Sequence, residues 1–387
     1  MSAHYHLQTK GTSITTTTQD THVLIVGGGL AGLAAALELE QAGIPYLLLE
    51  AQARFGGRIL SQPVAADAGF GVDLGPTWFW PHQQRMQRLC SQLGLRIFTQ
   101  HIAGDVLYQQ SGGRPVQRNG AGQGMLSYRV EGGTQSLIAA LVARLDPARL
   151  HHGCAIVRIT HGNEGWCVTA GATTHETPAA ADAPQLVRAR HLVLAAPPRK
   201  LMQIAGLSQC LPTGLPAALT ATPTWMAAQA KFVAVYPTPF WRQDGLSGQA
   251  FSRVGPMVEI HDASATADSG FALFGFIGVP AGVRIRHTAG VLHEACLNQL
   301  VSVFGARAAT PDVSYLKDWA REAWIVSDND VDESPMHPEL DLSAWLPQLH
   351  RMKMHFVGSE IAAEEGGYLE GALGSVESFK RTSELFA

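Results

Sequence analysis

No stretch of this chain is long and apolar enough to span a bilayer as a helix. Cysteine is scarce, and the five present, Cys90, Cys154, Cys167, Cys210 and Cys296, are odd in number, far apart and without a CxxC pair. That pattern argues against a disulfide framework and a cysteine metal site, and reads as reduced, mostly buried thiols in a cytoplasmic protein. Neither sign of charge dominates: 28 Lys and Arg face 32 Asp and Glu, a formal net charge of -4, and the basic residues are scattered. A nucleic-acid partner is therefore not expected. The histidines form no cluster with ligand spacing, since His151 and His152 are adjacent and His82, His101 and His261 stand in unrelated contexts, so no metal is expected. There is no GxSxG elbow, no internal repeat and no low-complexity tract. Residues 1–20, rich in Thr, Gln and His, lack the apolar core of a signal peptide and read as a disordered leader.

What the chain does have is glycine in informative places. Between Thr21 and Glu50, a β-rich run (His22 to Val26) breaks into Gly27-Gly-Gly-Leu30-Ala31-Gly32, followed by an Ala/Leu/Glu segment and a second apolar run, Tyr46 to Leu49. The order is strand, glycine turn, helix, strand, acid. In such a unit Gly27 lets the chain turn tightly, Gly29 lets backbone approach a pyrophosphate, and Gly32 lets the helix lie close to the sheet. The phosphates sit on unpaired N–H groups at the helix N-terminus. Glu50 is placed to accept from ribose hydroxyls and would repel a 2′-phosphate, which favours FAD or NAD over NADP.

The next run, Glu50-Ala51-Gln-Ala-Arg54-Phe-Gly56-Gly57-Arg58, adds a second glycine pair flanked by two guanidinium groups suited to bidentate contact with a diphosphate. Two glycine-rich phosphate contacts on one ligand point to FAD. The run also resembles the segment after the second strand in the flavin-containing amine oxidase family, which includes monoamine, polyamine and L-amino-acid oxidases. The resemblance continues through the chain. Val72-Asp-Leu-Gly75-Pro76-Thr77-Trp78 looks like the family's flavin-contacting loop, and Glu131-Gly132-Gly133-Thr-Gln-Ser-Leu137 like its central glycine pair. Leu192-Val-Leu-Ala-Ala-Pro197-Pro198 looks like the strand closing the cofactor domain. Phe356-Val-Gly358-Ser-Glu360 and Gly367-Tyr368-Leu369-Glu370-Gly371-Ala372 look like the C-terminal flavin strand and helix.

The fold class implied is α/β: a Rossmann-like two-dinucleotide-binding FAD domain with an interleaved α+β substrate domain. The cofactor segments fall at 21–85, 130–212 and 350–387, and the substrate segments at 86–129 and 213–349. Ile156-Val-Arg-Ile159 and Trp166-Cys-Val168 read as a hairpin, and in the family the backbone near Ile156 meets the adenine edge. The stretch 171–185, full of Ala, Thr and Pro, reads as a surface loop. Glu360 corresponds to a family position that hydrogen-bonds the FAD ribose or ribityl chain, and Gly358 and Leu369 belong to the same flavin-binding segment.

Lys231 opens an apolar strand, Ala230 to Tyr236, before Pro239-Phe240-Trp241. Taken alone, a lysine sharing a face with Val233 and Val235 reads as an edge or snorkelling residue. The resemblance implies instead the active-site lysine that holds a water against flavin N5. Tyr368, core filler on its own terms, becomes an aromatic wall of the substrate site. The family's second wall, and in some members a flavin-linking cysteine, come from a segment matched here by Lys317 to Asp330. That segment has no cysteine, so FAD is expected to be held non-covalently. Trp324 is a candidate replacement wall, with Trp80 and Phe274 as rivals. Pro76 stands where the family has a second glycine.

The expected activity is FAD-dependent oxidation of an amine by oxygen, with hydride transfer from the α-carbon to N5, giving an imine and then aldehyde, ammonia and hydrogen peroxide. An L-amino-acid oxidase, a related dehydrogenase or desaturase, and a non-catalytic flavoprotein are the alternatives. A carboxylate clamp for an amino acid would have to come from a residue such as Arg242 or Arg253. The protein is expected to be soluble, and the sequence leaves its oligomeric state open.

Overall fold

The computed structural model describes residues 18–64, 71–111, 116–118, 125–172, 186–265, 270–332 and 336–387. The expected leader lies outside the described residues up to position 17, and Thr18–Asp20 open the first strand. The expected loop at 171–185 lies outside them from 173.

Thr18–Val26 pairs in parallel with Leu186–Leu194 on one side and Tyr46–Leu49 on the other. Val23 to Val26 are buried throughout, as expected for a parallel strand covered on both faces. Leu150–His151 extends the sheet beyond Tyr46–Leu49, and Met354–Phe356 joins in parallel beside Leu192–Leu194. The antiparallel hairpin Cys154–Gly162 and Gly165–Ala172 attaches at the other end of Leu186–Leu194.

Helix Leu30–Gln41 forms because its Ala, Leu and Glu residues have high helix propensity and contain no β-branched interruption. It stops at Ala42 and Gly43, the latter at φ 68°. Leu33, Ala35, Ala36 and Leu39 are buried in a core shared with helices Gln135–Val142 and Leu369–Thr382. Helix Gln84–Leu93 joins this core through Met86, Leu89, Cys90 and Leu93. Glu370 caps it by accepting from the Arg85 and Met86 N–H groups at 3.0 and 2.9 Å. The division expected at 85/86 therefore cuts a helix whose apolar side is buried in the first unit.

A second sheet takes its strands from 105–118 and 230–318, with Ala230–Tyr236 between Val313–Asp318 and Phe271–Ile277, and Met257–Asp262 next to the latter. One face packs Phe232, Met257 and Ile277 against helix Ala289–Phe304. The other turns Val233, Val235 and Phe274 toward Val72 and Leu74, so the two sheets meet there. Beside Phe379 of the Leu369–Thr382 helix, His191 and His355 are buried with their rings nearly parallel and Nδ1 and Nε2 at 3.5 Å. Among the described residues, no helix is long and apolar enough to cross a membrane.

Candidate active site

A cavity of about 880 Å³ runs between the two sheets, from Glu50 and Ile156 at one end to Lys231 and Tyr368 at the other. At the first end Gly27 adopts φ +108° with its backbone against Ala195, where a Cβ would lie 2.6 Å from the carbonyl oxygen. A Cβ on Gly32 would lie 1.9 Å from the Gly27 oxygen, so helix and turn touch at that point. Gly29 differs: a Cβ there would meet nothing closer than 3.9 Å, and the space beyond is the cavity. Gly29 is the N-cap of the 30–41 helix and makes no side-chain cap, leaving first-turn N–H groups without intrahelical partners. Both Glu50 carboxylate oxygens pin this turn, accepting from Gly28 N at 2.6 Å and Gln52 N at 2.7 Å. Burial raises the Glu50 pKa against the opposing pull of these bonds.

Arg58 crosses the middle of the cavity wall. Its guanidinium donates to Glu360 Oε2 at 2.9 Å and to the Trp225 carbonyl at 3.0 Å. It thereby ties the glycine loop to the C-terminal segment. Arg54, expected beside it on the diphosphate, instead donates to the Gly57 and Ile59 carbonyls at 2.7 and 2.9 Å. Its guanidinium is consumed in holding the loop's own backbone, and it does not line the cavity. The N-terminus of helix Leu369–Thr382 also opens on the cavity, with Tyr368 as an N-cap that makes no side-chain cap.

Lys231 is the group that most needs explaining. Its strand is buried along its whole length and the residue is 2% exposed. The ammonium donates to the Gly75 carbonyl at 3.2 Å and to Thr77 Oγ1, and lies 4.1 Å from the Phe274 ring centroid. Burial lowers its pKa to about 7, partly offset by buried Asp73. Phe274 is thus a floor beneath the ammonium and does not line the cavity, which removes it as a substrate wall.

Of the residues singled out in the sequence, the cavity collects Gly27, Gly29, Leu30, Ala31, Glu50, Ala51, Gly57, Arg58, Gly75, Pro76, Thr77, Trp78, Trp80, Ile156, Lys231, Trp324, Gly358, Glu360, Tyr368 and Leu369. Gly32 stays behind the turn. Trp80 meets Tyr368 edge-on at 5.6 Å, and Trp324 sits at the rim, 42% exposed. Trp225 was missed. It stacks on His337 at 3.7 Å, faces Tyr368 at 6.5 Å, and approaches so closely that a Cβ on Gly367 would lie 2.7 Å from its ring. Its Thr-Pro-Thr setting ahead of the Lys231 strand carries no sequence signal of this position. Phe276 and Glu259 also line this end and were not anticipated.

A parallel sheet with a glycine turn, an acid after the second strand, an open helix N-terminus and a returning C-terminal strand together define a dinucleotide-binding oxidoreductase of the flavin type. The chain belongs to the flavin containing amine oxidoreductase family, whose model matches residues 30–121 and 115–375. It is 24% identical to a Dictyostelium discoideum protein named "Probable flavin-containing monoamine oxidase A", over 94% of this chain and 97% of that one. It is 24% identical to putrescine oxidase of Kocuria rosea, over 91% and 92% of the two chains. The structure of cyclohexylamine oxidase from Brevibacterium oxydans superposes with a TM-score of 0.75 at 21% identity, over 93% of this chain and 97% of that one. The cofactor is FAD, held non-covalently, and the residues present fit it: first-turn N–H groups without intrahelical partners lie at Gly29 beside the open cavity, with a carboxylate at Glu50.

Proposed function

We propose that this enzyme oxidises an amine R–CH2–NH2 with O2 and water to the aldehyde, ammonia and hydrogen peroxide, at the Lys231 end of the cavity. FAD, when bound there, supplies a two-electron acceptor for the substrate that oxygen can regenerate. The turn at Gly27 to Ala31 and Glu50 would hold its diphosphate and ribose, and Arg58, Glu360 and the Leu369 helix end its other half.

The observation carrying this reading is a fully buried lysine whose pKa lies near neutrality, at the aromatic end of a cavity with a dinucleotide turn at its far end. Neutral Lys231 can accept a proton through a positioned water and return it when charged. Tyr368, Trp80 and Trp225 exclude bulk water, and their ring faces favour a carbon–nitrogen unit that becomes cationic as it is oxidised. Among the described residues, Arg58 is the arginine lining the cavity, and Glu360 already occupies it. Arg242 is bound to Asp262, and neither it nor Arg253 lines the cavity. This supports an amine over an amino acid.

The test is anaerobic mixing of the yellow protein with an amine panel, followed by admission of air. Bleaching by amines and stoichiometric peroxide on reoxidation are the expected results. Bleaching without peroxide would make it a dehydrogenase, and an unbleached flavin across the panel would overturn the reading.

A further inference from the structure

Three carboxylates line the cavity among the described residues: Glu50, Glu360 and Glu259. Glu50 pins the glycine turn and Glu360 is held by Arg58. Glu259 stands at the Lys231 end with no arginine or lysine on it among the described residues, and its carboxylate is hydrogen-bonded to the His261 ring at 2.6 Å.

Its position results from a break in strand parity. In Met257–Asp262, Met257 faces Ile277, yet the next paired residue is Glu259, opposite Phe276. Val258 is the extra residue of a bulge. Regular alternation would put Glu259 on the same side as Met257, in the apolar core against helix Ala289–Phe304. The bulge turns it to the cavity side instead. Phe276 in turn faces Lys231, so Lys231, Phe276 and Glu259 form one row across three strands. Two strand spacings separate the lysine and glutamate backbones by roughly 10 Å.

We propose that Glu259 binds a second, protonated nitrogen of the substrate, making diamines the preferred class. This rests on the amine-oxidase reading above. A nitrogen about to be oxidised must be neutral, and a carboxylate beside it would hold it protonated. Glu259 is therefore unsuited to the reacting amine and suited to a cation one short alkyl chain away. The hydrogen bond from His261 lowers the Glu259 pKa, which keeps the anion available in weakly acidic solution. The aromatic surface between the two positions accommodates the methylenes.

The test compares butane-1,4-diamine with butan-1-amine, and hexane-1,6-diamine with hexan-1-amine, by anaerobic flavin bleaching and by the spectral shift on binding. The holoenzyme, Glu259→Gln and Glu259→Asp are measured in parallel. The expected result is at least a tenfold lower half-saturation for a diamine than for its monoamine, lost in Glu259→Gln and partly kept in Glu259→Asp, with monoamine constants changing less than twofold. A merely structural Glu259–His261 pair would move diamine and monoamine constants together, and that result overturns the proposal. Equal handling of both substrates by the wild-type enzyme overturns it too, while leaving amine oxidation standing. Failure of every amine to bleach or shift the flavin overturns both readings.

Discussion

A lysine surrounded by Phe274, Thr77 and the Gly75 carbonyl has no carboxylate in direct contact among the described residues, so desolvation governs its protonation. Its pKa is lowered to about 7 from 10.5. The fold therefore carries the full cost of the buried cation below pH 7, and that cost disappears as pH rises toward 10.5, where the unfolded chain also releases its proton. Lys231→Met should keep FAD and slow flavin reduction or reoxidation on the order of 10²-fold, as when a positioned proton acceptor is removed. The wild-type rate should climb through pH 7 and the variant's should not. Stopped-flow traces across pH 6 to 9 check this, and an unchanged rate and profile would take Lys231 out of the chemistry. Lys231 was marked by the family resemblance, since taken alone a lysine on an apolar strand reads as an edge or snorkelling residue. Trp225 was not, because a tryptophan near a proline turn is ordinary until His337 and Gly367 are seen against it.

Two glycines of one turn answer different requirements, and substitution separates them. Gly29 has open space where a side chain would go and φ of -76°, whereas Gly32 has the Gly27 oxygen there. Gly29→Val should fold with stability within about 1 kcal/mol of the parent and emerge colourless, its side chain filling the phosphate position. Gly32→Val should fail to accumulate as folded protein. Circular dichroism alongside the 450 nm absorbance of the purified variants distinguishes the two, and a yellow Gly29→Val would refute the phosphate assignment. The glycine spacing, the parallel strands and the hairpin were legible because local chemistry imposes them. The bulge at Val258 was not, since nothing in Met257-Val-Glu-Ile-His marks a parity break. Arg54 was misread for a related reason: the sequence brings two arginines to one loop but does not say which one the backbone consumes.

At the scale of the whole molecule, the parallel sheet was legible from its buried runs, while the assignment of helix Gln84–Leu93 was not, because an amphipathic helix does not name the core it joins. The same sheet buries a pair of histidines. Burial first, then the neighbouring His191 and His350, lower the His355 pKa to about 3. The unfolded chain takes up that proton near pH 6.5, so folded stability falls as pH drops below 6.5, by about 1.4 kcal/mol per pH unit per histidine held neutral. Urea midpoints at pH 7 and pH 5 should show this decline, with a shallower one in His355→Leu. Equal declines would place the acid sensitivity elsewhere.

Arg58 and Glu360, 302 residues apart, close the two halves of the cradle on each other. A ribosome making this chain releases the glycine loop well before the glutamate. The nascent polypeptide thus has no completed seat for its coenzyme until translation has passed residue 360, so flavin loading waits on the second partner of this pair.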